Sequence, residues 1–221
     1  MIYIKKSQPA PKCLEKEKVK KNGDYKCGDV VARLDTDFYG KCYLCEMKSS
    51  SCNVEHFIPH QGNKDLMFDW NNLFLSCSHC NNIKSTREDL LNCTVIEDDV
   101  ERVMEYNFNP FPKEKVLIKP LDKSEKTNNS AKLLNDIYNG TTELKRLDSD
   151  NIRNKLLAEI KDFQELLLEY YDERSDLESK QACLKEIKKA LHPASEFVAF
   201  KRWIIWSNDE RNEDFGEFLS R

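Results

Sequence analysis

Residues 42–84 read CYLCEMKSSSCNVEHFIPHQGNKDLMFDWNNLFLSCSHCNNIK and contain two Cys-x-x-Cys pairs, Cys42 with Cys45 and Cys77 with Cys80. Each pair brings two thiolates to one side of a metal ion, and four thiolates at about 2.3 Å complete a tetrahedral zinc site. The 31 residues between the pairs exceed the roughly 15 to 20 of a plain zinc ribbon. The sequence therefore predicts one structural zinc ion with a further folded unit between its ligand pairs.

This unit has the pattern of two strands followed by a helix. Residues 54–58 form a short β-branched and aromatic run that is typical of a strand, and Pro59 marks its end. Residues 69–75 predict a second strand or extended segment. Residues 77–87 predict a helix with Asn81 in its first turn. The predicted order is therefore β, β, α.

Short motifs of this region resemble those of the HNH endonuclease family with its ββα-metal fold. They are, within the frame of the cysteine pairs, Glu55-His56, Asn72-Leu73 and Cys80-Asn81 followed by Lys84. The resemblance implies that His56 is the general base that activates water and that Asn72 holds the His56 ring in place. It also implies that Glu55 and Asn81 bind a catalytic Mg²⁺ or Mn²⁺ ion through oxygen atoms.

The two asparagine positions of the motif have close rivals. Asn71 precedes Asn72 and Asn82 follows Asn81, but the residues directly before Leu73 and directly after Cys80 match the motif better. Four other residues beside the motif are candidates for contact with nucleic acid, namely Lys84, Arg87, His60 and His79. Surface solvation explains the two cations about equally well, and a structural hydrogen bond is the commoner role for such histidines.

Three longer sequence segments give a resemblance to a narrower family. They are EHFIP at residues 55–59, FDWNNL at residues 68–73 and FKRW at residues 200–203. These segments are similar to the PtuB family, the HNH subunits of Septu-type and retron-associated anti-phage systems. The resemblance implies a DNA-cleaving effector that works in a complex with an ATPase subunit. This chain has no Gly-rich phosphate loop or other nucleotide motif, so the ATPase activity would come from the partner.

The composition indicates a folded protein of a reducing compartment. Charged residues make up 33% and hydrophobic residues 39%, no apolar run approaches about 18 residues, and the first residues lack an apolar signal core. We therefore expect a cytoplasmic protein without a membrane segment. Nine cysteines, an odd number, favour metal binding over a disulfide framework. The cysteines outside the zinc set are predicted to be thiols without a role, with Cys52 an alternative ligand: Cys13, Cys27, Cys52, Cys93 and Cys183.

The charge is unevenly distributed. The net charge of −4 argues against a surface that binds phosphate everywhere. Residues 1–33 nonetheless hold nine basic and four acidic residues, a local charge of +5, which leaves −9 for the other 188 residues. This arm, with Lys16, Lys18, Lys20 and Lys21 on a predicted helix at 13–21, either follows a phosphate backbone beside the site or is simply solvated.

The C-terminal region has helical periodicity. A polar segment at residues 122–129 predicts a boundary, so we divide the chain into a basic arm (1–34), a nuclease core with the zinc site (35–121) and a helical region (122–221). Strands are predicted at 94–96 and 115–118, helix ends at Asn139-Gly140 and His192-Pro193, and an N-cap at Ser195.

An apolar block at residues 197–206 contains more apolar side chains than one helix buries against a small core. Arg202, Trp203 and Trp206 are therefore candidate anchors for a partner, and complete packing within the helical region is the alternative.

Together these features predict an α+β protein with a zinc-stapled ββα-metal core and a C-terminal helical region. The expected function is metal-dependent cleavage of DNA. The alternative is a zinc-dependent module that binds nucleic acid or docks a partner without catalysis.

Overall fold

The computed structural model describes residues 1–219, which form small antiparallel sheets surrounded by helices. The first half contains, in chain order, α1 (Lys12–Lys18), α2 (Gly28–Asp37), β1 (Cys52–His56), α3 (Lys64–Met67), β2 (Leu73–Cys77), α4 (Ser78–Lys84), β3 (Met104–Phe108) and β4 (Val116–Pro120). The second half contains α5 (Glu125–Asn139), α6 (Glu143–Tyr171), α7 (Leu177–Leu191), α8 (Val198–Trp206) and α9 (Asp209–Phe215). Short 3₁₀ turns lie at Trp70–Asn72, Ile96–Asp98 and Gly216–Leu219. The predicted α+β class is confirmed.

The first sheet and helix α4 form the predicted ββα unit. Strands β1 and β2 pair antiparallel, with Cys52 opposite Cys77 and His56 opposite Leu73. Helix α4 begins directly after β2, as the predicted order requires. Strand β2 starts later than predicted, because the Asp69 side chain accepts a hydrogen bond from the Asn71 amide at 2.9 Å and begins a 3₁₀ turn there.

A second antiparallel pair joins β3 to β4, with Met104 opposite Pro120 and Phe108 opposite Val116. Strand β4 confirms the strand predicted at 115–118. The strand predicted at 94–96 is wrong: the Asn92 side chain accepts from the Thr94 amide at 2.9 Å and forms a turn, and a 3₁₀ turn follows. Strand β3 was not predicted, although its apolar residues alternate with polar ones.

The C-terminal helices end where the sequence predicts. Helix α5 ends before Gly140, whose φ of 74° suits glycine, and a Cβ there would lie 2.7 Å from the Arg146 backbone. Helix α7 ends before His192. The N-cap predicted at Ser195 is wrong, since α8 begins after Phe197 without a side-chain cap. The Ser195 hydroxyl instead accepts from Lys201 Nζ at 2.9 Å.

One hydrophobic core extends from Met1 in the arm to Phe200 in α8, and a smaller cluster joins α6 and α7 to α8 and α9. The large core crosses both boundaries proposed at residues 34 and 121, which remain predictions. A buried ion pair also joins the two halves, with Arg202 Nη1 2.6 Å from Glu101 Oε2 and both side chains almost fully buried. Because Arg202 is buried, it is not available as an anchor for a partner in this structure.

Two cysteines depart from their predicted role. Cys13 at the start of α1 and Cys27 just before α2 are joined by a disulfide, so the prediction that both are free thiols is wrong. Their spacing of 14 residues carries no signal for pairing, which depends on how α1 and α2 pack. Among the helices of residues 1–219, none combines the length and apolar character needed to cross a bilayer.

Candidate active site and metal centre

The four predicted zinc ligands come together at one end of the ββα unit. The sulfurs of Cys42, Cys45, Cys77 and Cys80 lie within 4.8 Å of one another, and all four residues are buried. The Cys45 and Cys77 sulfurs are 4.0 Å apart, close to the roughly 3.8 Å edge of a tetrahedron with zinc–sulfur bonds of 2.3 Å. The donor set therefore fits zinc. Within the described residues, Cys52 does not belong to this group.

His56 is the last residue of β1, and the first residue of that strand, Cys52, pairs with the predicted zinc ligand Cys77. One hydrogen bond defines the orientation of the His56 ring. His56 Nε2 is 3.0 Å from the carbonyl oxygen of Met67. Because a carbonyl only accepts hydrogen bonds, Nε2 carries the hydrogen and Nδ1 retains a free lone pair. The side chain is mostly buried, and this desolvation lowers the pKa of His56 below 6.5. Burial therefore favours the neutral imidazole, and Nδ1 is available as a base.

Asn72 fixes the loop that follows β1. Its side-chain amide donates to the carbonyls of Ile58 at 2.9 Å and Leu66 at 3.0 Å, and its oxygen accepts from the Ile58 amide at 2.7 Å. These bonds hold both ends of the loop, and the second end leads to Met67, which binds His56. Asn71 is exposed, and its side chain contacts Gln8 on the surface, at 3.3 Å. Of the two rivals, Asn72 has the contacts that position a base.

Glu55 is paired with a lysine of helix α4. Lys84 Nζ lies 2.9 Å from Glu55 Oε1 and 3.0 Å from the carbonyl oxygen of His56. Burial raises the pKa of Glu55, and the Lys84 charge opposes this increase. Lys84 therefore joins the helix to the strand that carries the Glu-His pair.

The expectation that Lys84 clamps phosphate at the surface is not met in this structure, because its side chain has no exposed area. The sequence contains a signal for this burial. Cys80, Ile83 and Lys84 are spaced i, i+3 and i+4, so they share one face of α4, and a zinc ligand fixes that face inward.

We expect Lys84→Met to lower the free energy of unfolding by roughly 3 kcal/mol, because it leaves the buried Glu55 charge unpaired. The double variant Glu55→Gln/Lys84→Met should recover most of this loss. Urea unfolding of both variants measures the difference. Arg87→Gln is the matched control, since its more exposed pair with Asp136 is worth about 1 kcal/mol or less. Equal losses for Lys84→Met and the double variant would contradict the assignment.

The other candidates fall into two groups. His60 lies beside the base, with ring centroids 4.6 Å apart from His56, and its Nδ1 accepts from the Gly62 amide at 3.1 Å. Asn81 is half-buried in the first turn of α4, whereas Asn82 is exposed. His60 thus lies beside His56, and Asn81 is the more buried of the two asparagines. Contacts of His60 with nucleic acid and of Asn81 with a metal ion stay predictions.

His79 and Arg87 instead contact the helical region. His79 Nε2 is 3.0 Å from the Ile137 carbonyl oxygen, and its Nδ1 is 3.4 Å from Asp148. Arg87 Nη2 is 2.7 Å from Asp136. His79 therefore packs between α4 and helices α5 and α6, and Arg87, just after α4, pairs with α5. Contact of either residue with nucleic acid stays a prediction.

Glu55 and Asn81 suit a hard divalent cation. Carboxylate and amide oxygens are the donors that Mg²⁺ prefers. Lys84 occupies Glu55 Oε1, so Oε2 is the oxygen with which Glu55 would bind an ion. The residues present therefore fit a catalytic ion with few protein ligands, whose remaining ligands would be water and phosphate oxygens.

Comparison with known proteins agrees with this geometry. Residues 42–87 match the family model of HNH endonucleases. The segment that carries the cysteine cluster and the Glu-His pair is therefore an HNH endonuclease domain. The chain is also similar to Septu protein PtuB of Bacillus thuringiensis, with 38% identity over 63 residues. That alignment covers 25% of this chain and 24% of the relative's length, so the chain spans about a quarter of that relative.

Proposed function

We propose that this protein is a metal-dependent endonuclease that hydrolyses phosphodiester bonds of DNA. The observation that carries the proposal is the orientation of His56, whose Nε2 is bound by a carbonyl and whose Nδ1 is free. Cleavage requires a water molecule made nucleophilic, and a neutral imidazole held in one orientation supplies the base. The HNH family match of residues 42–87 supports the same chemistry.

The other residues of the site have supporting roles in this proposal. Asn72 holds the loop that leads to Met67, so that the Met67 carbonyl can accept the hydrogen bond from His56 Nε2. Glu55 and Asn81 would hold a Mg²⁺ or Mn²⁺ ion, which supplies positive charge at the phosphate and at the departing 3′ oxygen. The four cysteines would hold a structural Zn²⁺ ion.

Purified protein tests the proposal on supercoiled plasmid DNA with EDTA, Mg²⁺ or Mn²⁺, alongside single-stranded DNA and RNA of matched length. We expect nicking or linearisation that depends on the divalent ion and is absent from a His56→Ala preparation purified in the same way. Equal cleavage by both preparations would indicate a contaminating nuclease. No cleavage with either ion, alone or with an ATPase encoded beside this chain, would overturn the proposal.

The alternative is a module that binds nucleic acid or docks a partner without catalysis. A cysteine cluster alone is compatible with such a role. The orientation of His56 favours the nuclease, because a binding module has no need of an imidazole with a free Nδ1. Retention of biological function by His56→Ala would favour the alternative.

We further propose that the protein acts in a defence complex with an ATPase subunit. The similarity to Septu protein PtuB supports the defence role. The ATPase partner follows only from the resemblance of the short sequence segments. Co-purification with an ATPase encoded beside this chain tests it. Trp203 and Trp206 remain candidate contacts, since both are half-buried, although the Arg102 guanidinium already lies 3.9 Å from the Trp206 ring centroid.

The basic arm is proposed to add affinity for the DNA backbone. Lys18 pairs with Asp65 at 2.6 Å and Lys20 with Glu17 at 2.5 Å, which leaves Lys16 and Lys21 exposed and without an ion pair among the described residues.

Neutralising Lys16 and Lys21 with glutamine should reduce the slope of log affinity against log salt by about 0.9 for each phosphate that the arm no longer neutralises. Fluorescence anisotropy in a salt series measures it. The matched control replaces Lys185 and Lys188, two exposed lysines of α7. An unchanged slope in the arm variant would show that the arm is only solvated.

A further inference from the structure

Tyr25, a residue of the arm, contacts the candidate base. Its ring lies edge-on to the His56 imidazole, with centroids 4.5 Å apart and planes at 68°. The Tyr25 and His60 centroids are 6.4 Å apart, so Tyr25 and His60 both flank His56. Tyr25 is 31 residues before His56 in the chain, outside the segment that matches the family model.

The loop that carries Tyr25 is held in place by several independent contacts. The Cys13–Cys27 disulfide closes the loop two residues after Tyr25. The Asp24 side chain accepts from the Lys26 amide at 2.8 Å, which forms a turn centred on Tyr25. A Cβ at Gly23 would meet the Glu17 carbonyl oxygen at 1.9 Å, so the chain fits there only as glycine.

The loop is also fastened to the segment that follows His56. Lys64 Nζ donates to the carbonyls of Lys18 at 3.2 Å and Lys20 at 2.8 Å. Lys18 pairs with Asp65, in the same short helix as the carbonyl that binds His56. Tyr25 is therefore held against the imidazole by a loop that these contacts fix in place.

The imidazole needs such a contact. If the ring turned by 180° about Cβ–Cγ, carbon atoms would replace Nδ1 and Nε2, and the base would be lost. The single hydrogen bond to Met67 restrains this rotation only modestly. We propose that Tyr25, held by the Cys13–Cys27 bridge, is a positioning residue that keeps His56 in the orientation with Nδ1 free. This proposal rests on the proposed nuclease function.

Substitution of Tyr25 in the full chain tests this role. We expect Tyr25→Ala to lower kcat for plasmid cleavage about 3- to 10-fold, the range that an edge-to-face aromatic contact supplies, with KM changed less than about twofold. Tyr25→Phe keeps the ring and should retain parental kcat. The Cys13→Ser/Cys27→Ser variant should shift kcat in the same direction as Tyr25→Ala. Tyr39→Ala is the matched control, because Tyr39 makes a similar edge contact with His192 at 6.0 Å.

A second measurement does not depend on cleavage. The chain has four histidines, so NMR signals of labelled imidazoles can be assigned by single substitutions. Loss of the Tyr25 ring current by itself shifts the proton signals, so the nitrogen signals of His56 are compared. The Nε2–H signal should lose its hydrogen-bonded position in Tyr25→Ala and keep it in Tyr25→Phe and Tyr39→Ala. Unchanged His56 signals in Tyr25→Ala would overturn the positioning role even in an inactive protein. A parent without cleavage but with the expected shifts would instead count against the nuclease function alone.

Other kinetic outcomes are equally decisive. An increase in KM with unchanged kcat for Tyr25→Ala would make Tyr25 a DNA contact and overturn the proposal. Loss of activity in Tyr25→Phe would show that the hydroxyl acts directly. Parental kcat and parental His56 signals in the Cys13→Ser/Cys27→Ser variant would show that the disulfide is not needed to hold Tyr25 against His56.

Discussion

Alanine at position 56 is expected to lower the rate of DNA cleavage by about 10²- to 10⁴-fold, the contribution of a well-placed general base. The fold should survive, because His56 makes one side-chain hydrogen bond and two ring contacts and is not a member of the cysteine cluster. Single-turnover cleavage of plasmid DNA measures the loss. His192→Ala is a suitable control, since His192 is exposed and its ring accepts a hydrogen bond from the nearby Ala194 amide, at 3.1 Å.

The pH dependence of the parent provides a second check. Burial lowers the pKa of His56, so the neutral, basic form persists below pH 6.5. The cleavage rate should therefore rise with pH and reach half its maximum below 6.5. Near-parental turnover by His56→Ala on a substrate that the parent cuts would show that His56 is not the base.

Replacement of Cys77 by serine is expected to unfold the ββα unit and abolish zinc binding. Structural zinc sites contribute on the order of 10 kcal/mol or more of apparent binding free energy, and the four ligands join the segment before β1 to the end of β2 and to α4. Elemental analysis should give one zinc ion per chain for the parent and almost none for the variant. Thermal unfolding should show the loss of stability.

Cys52→Ser is the control for this experiment. Cys52 pairs with Cys77 across the sheet, but its sulfur lies outside the cluster of four. The control should retain its zinc and its unfolding temperature. Zinc loss in Cys52→Ser, or full stability in Cys77→Ser, would require a different ligand set.

The parts of the fold that were predictable are those encoded by local spacing. Two Cys-x-x-Cys pairs predict a metal site independently of the surrounding sequence. Gly140 ends α5 because of its own backbone conformation. The ββα order followed from the short runs between the cysteines. The strand missed at 104–108 had alternating apolar residues, but its charged and amide positions obscured the pattern.

The parts that were not predictable depend on contacts between distant residues. A lysine near the end of a helix is usually solvated, and only the packing of α4 on β1 shows that Lys84 is buried against Glu55. The Cys13–Cys27 bridge and the contact of Tyr25 with His56 likewise arise from the packing of the arm. The cysteine cluster was thus accessible from sequence, whereas the contacts of Lys84 and Tyr25 near His56 were not.

The buried pair of Arg202 and Glu101 limits whether the HNH segment can be moved into another protein. Its two members are separated by 101 positions in the chain and lie 2.6 Å apart. A chain truncated after residue 121 would lose the arginine partner of the Glu101 carboxylate and leave it, among the described residues, only the Tyr3 amide. A chimaera that exchanged only residues 42–87 would have to preserve the surfaces that α5 and α8 cover. The HNH segment and the helical region are thus packed as one folded unit, and a variant that moves the HNH segment into another protein must also supply a partner for Glu101.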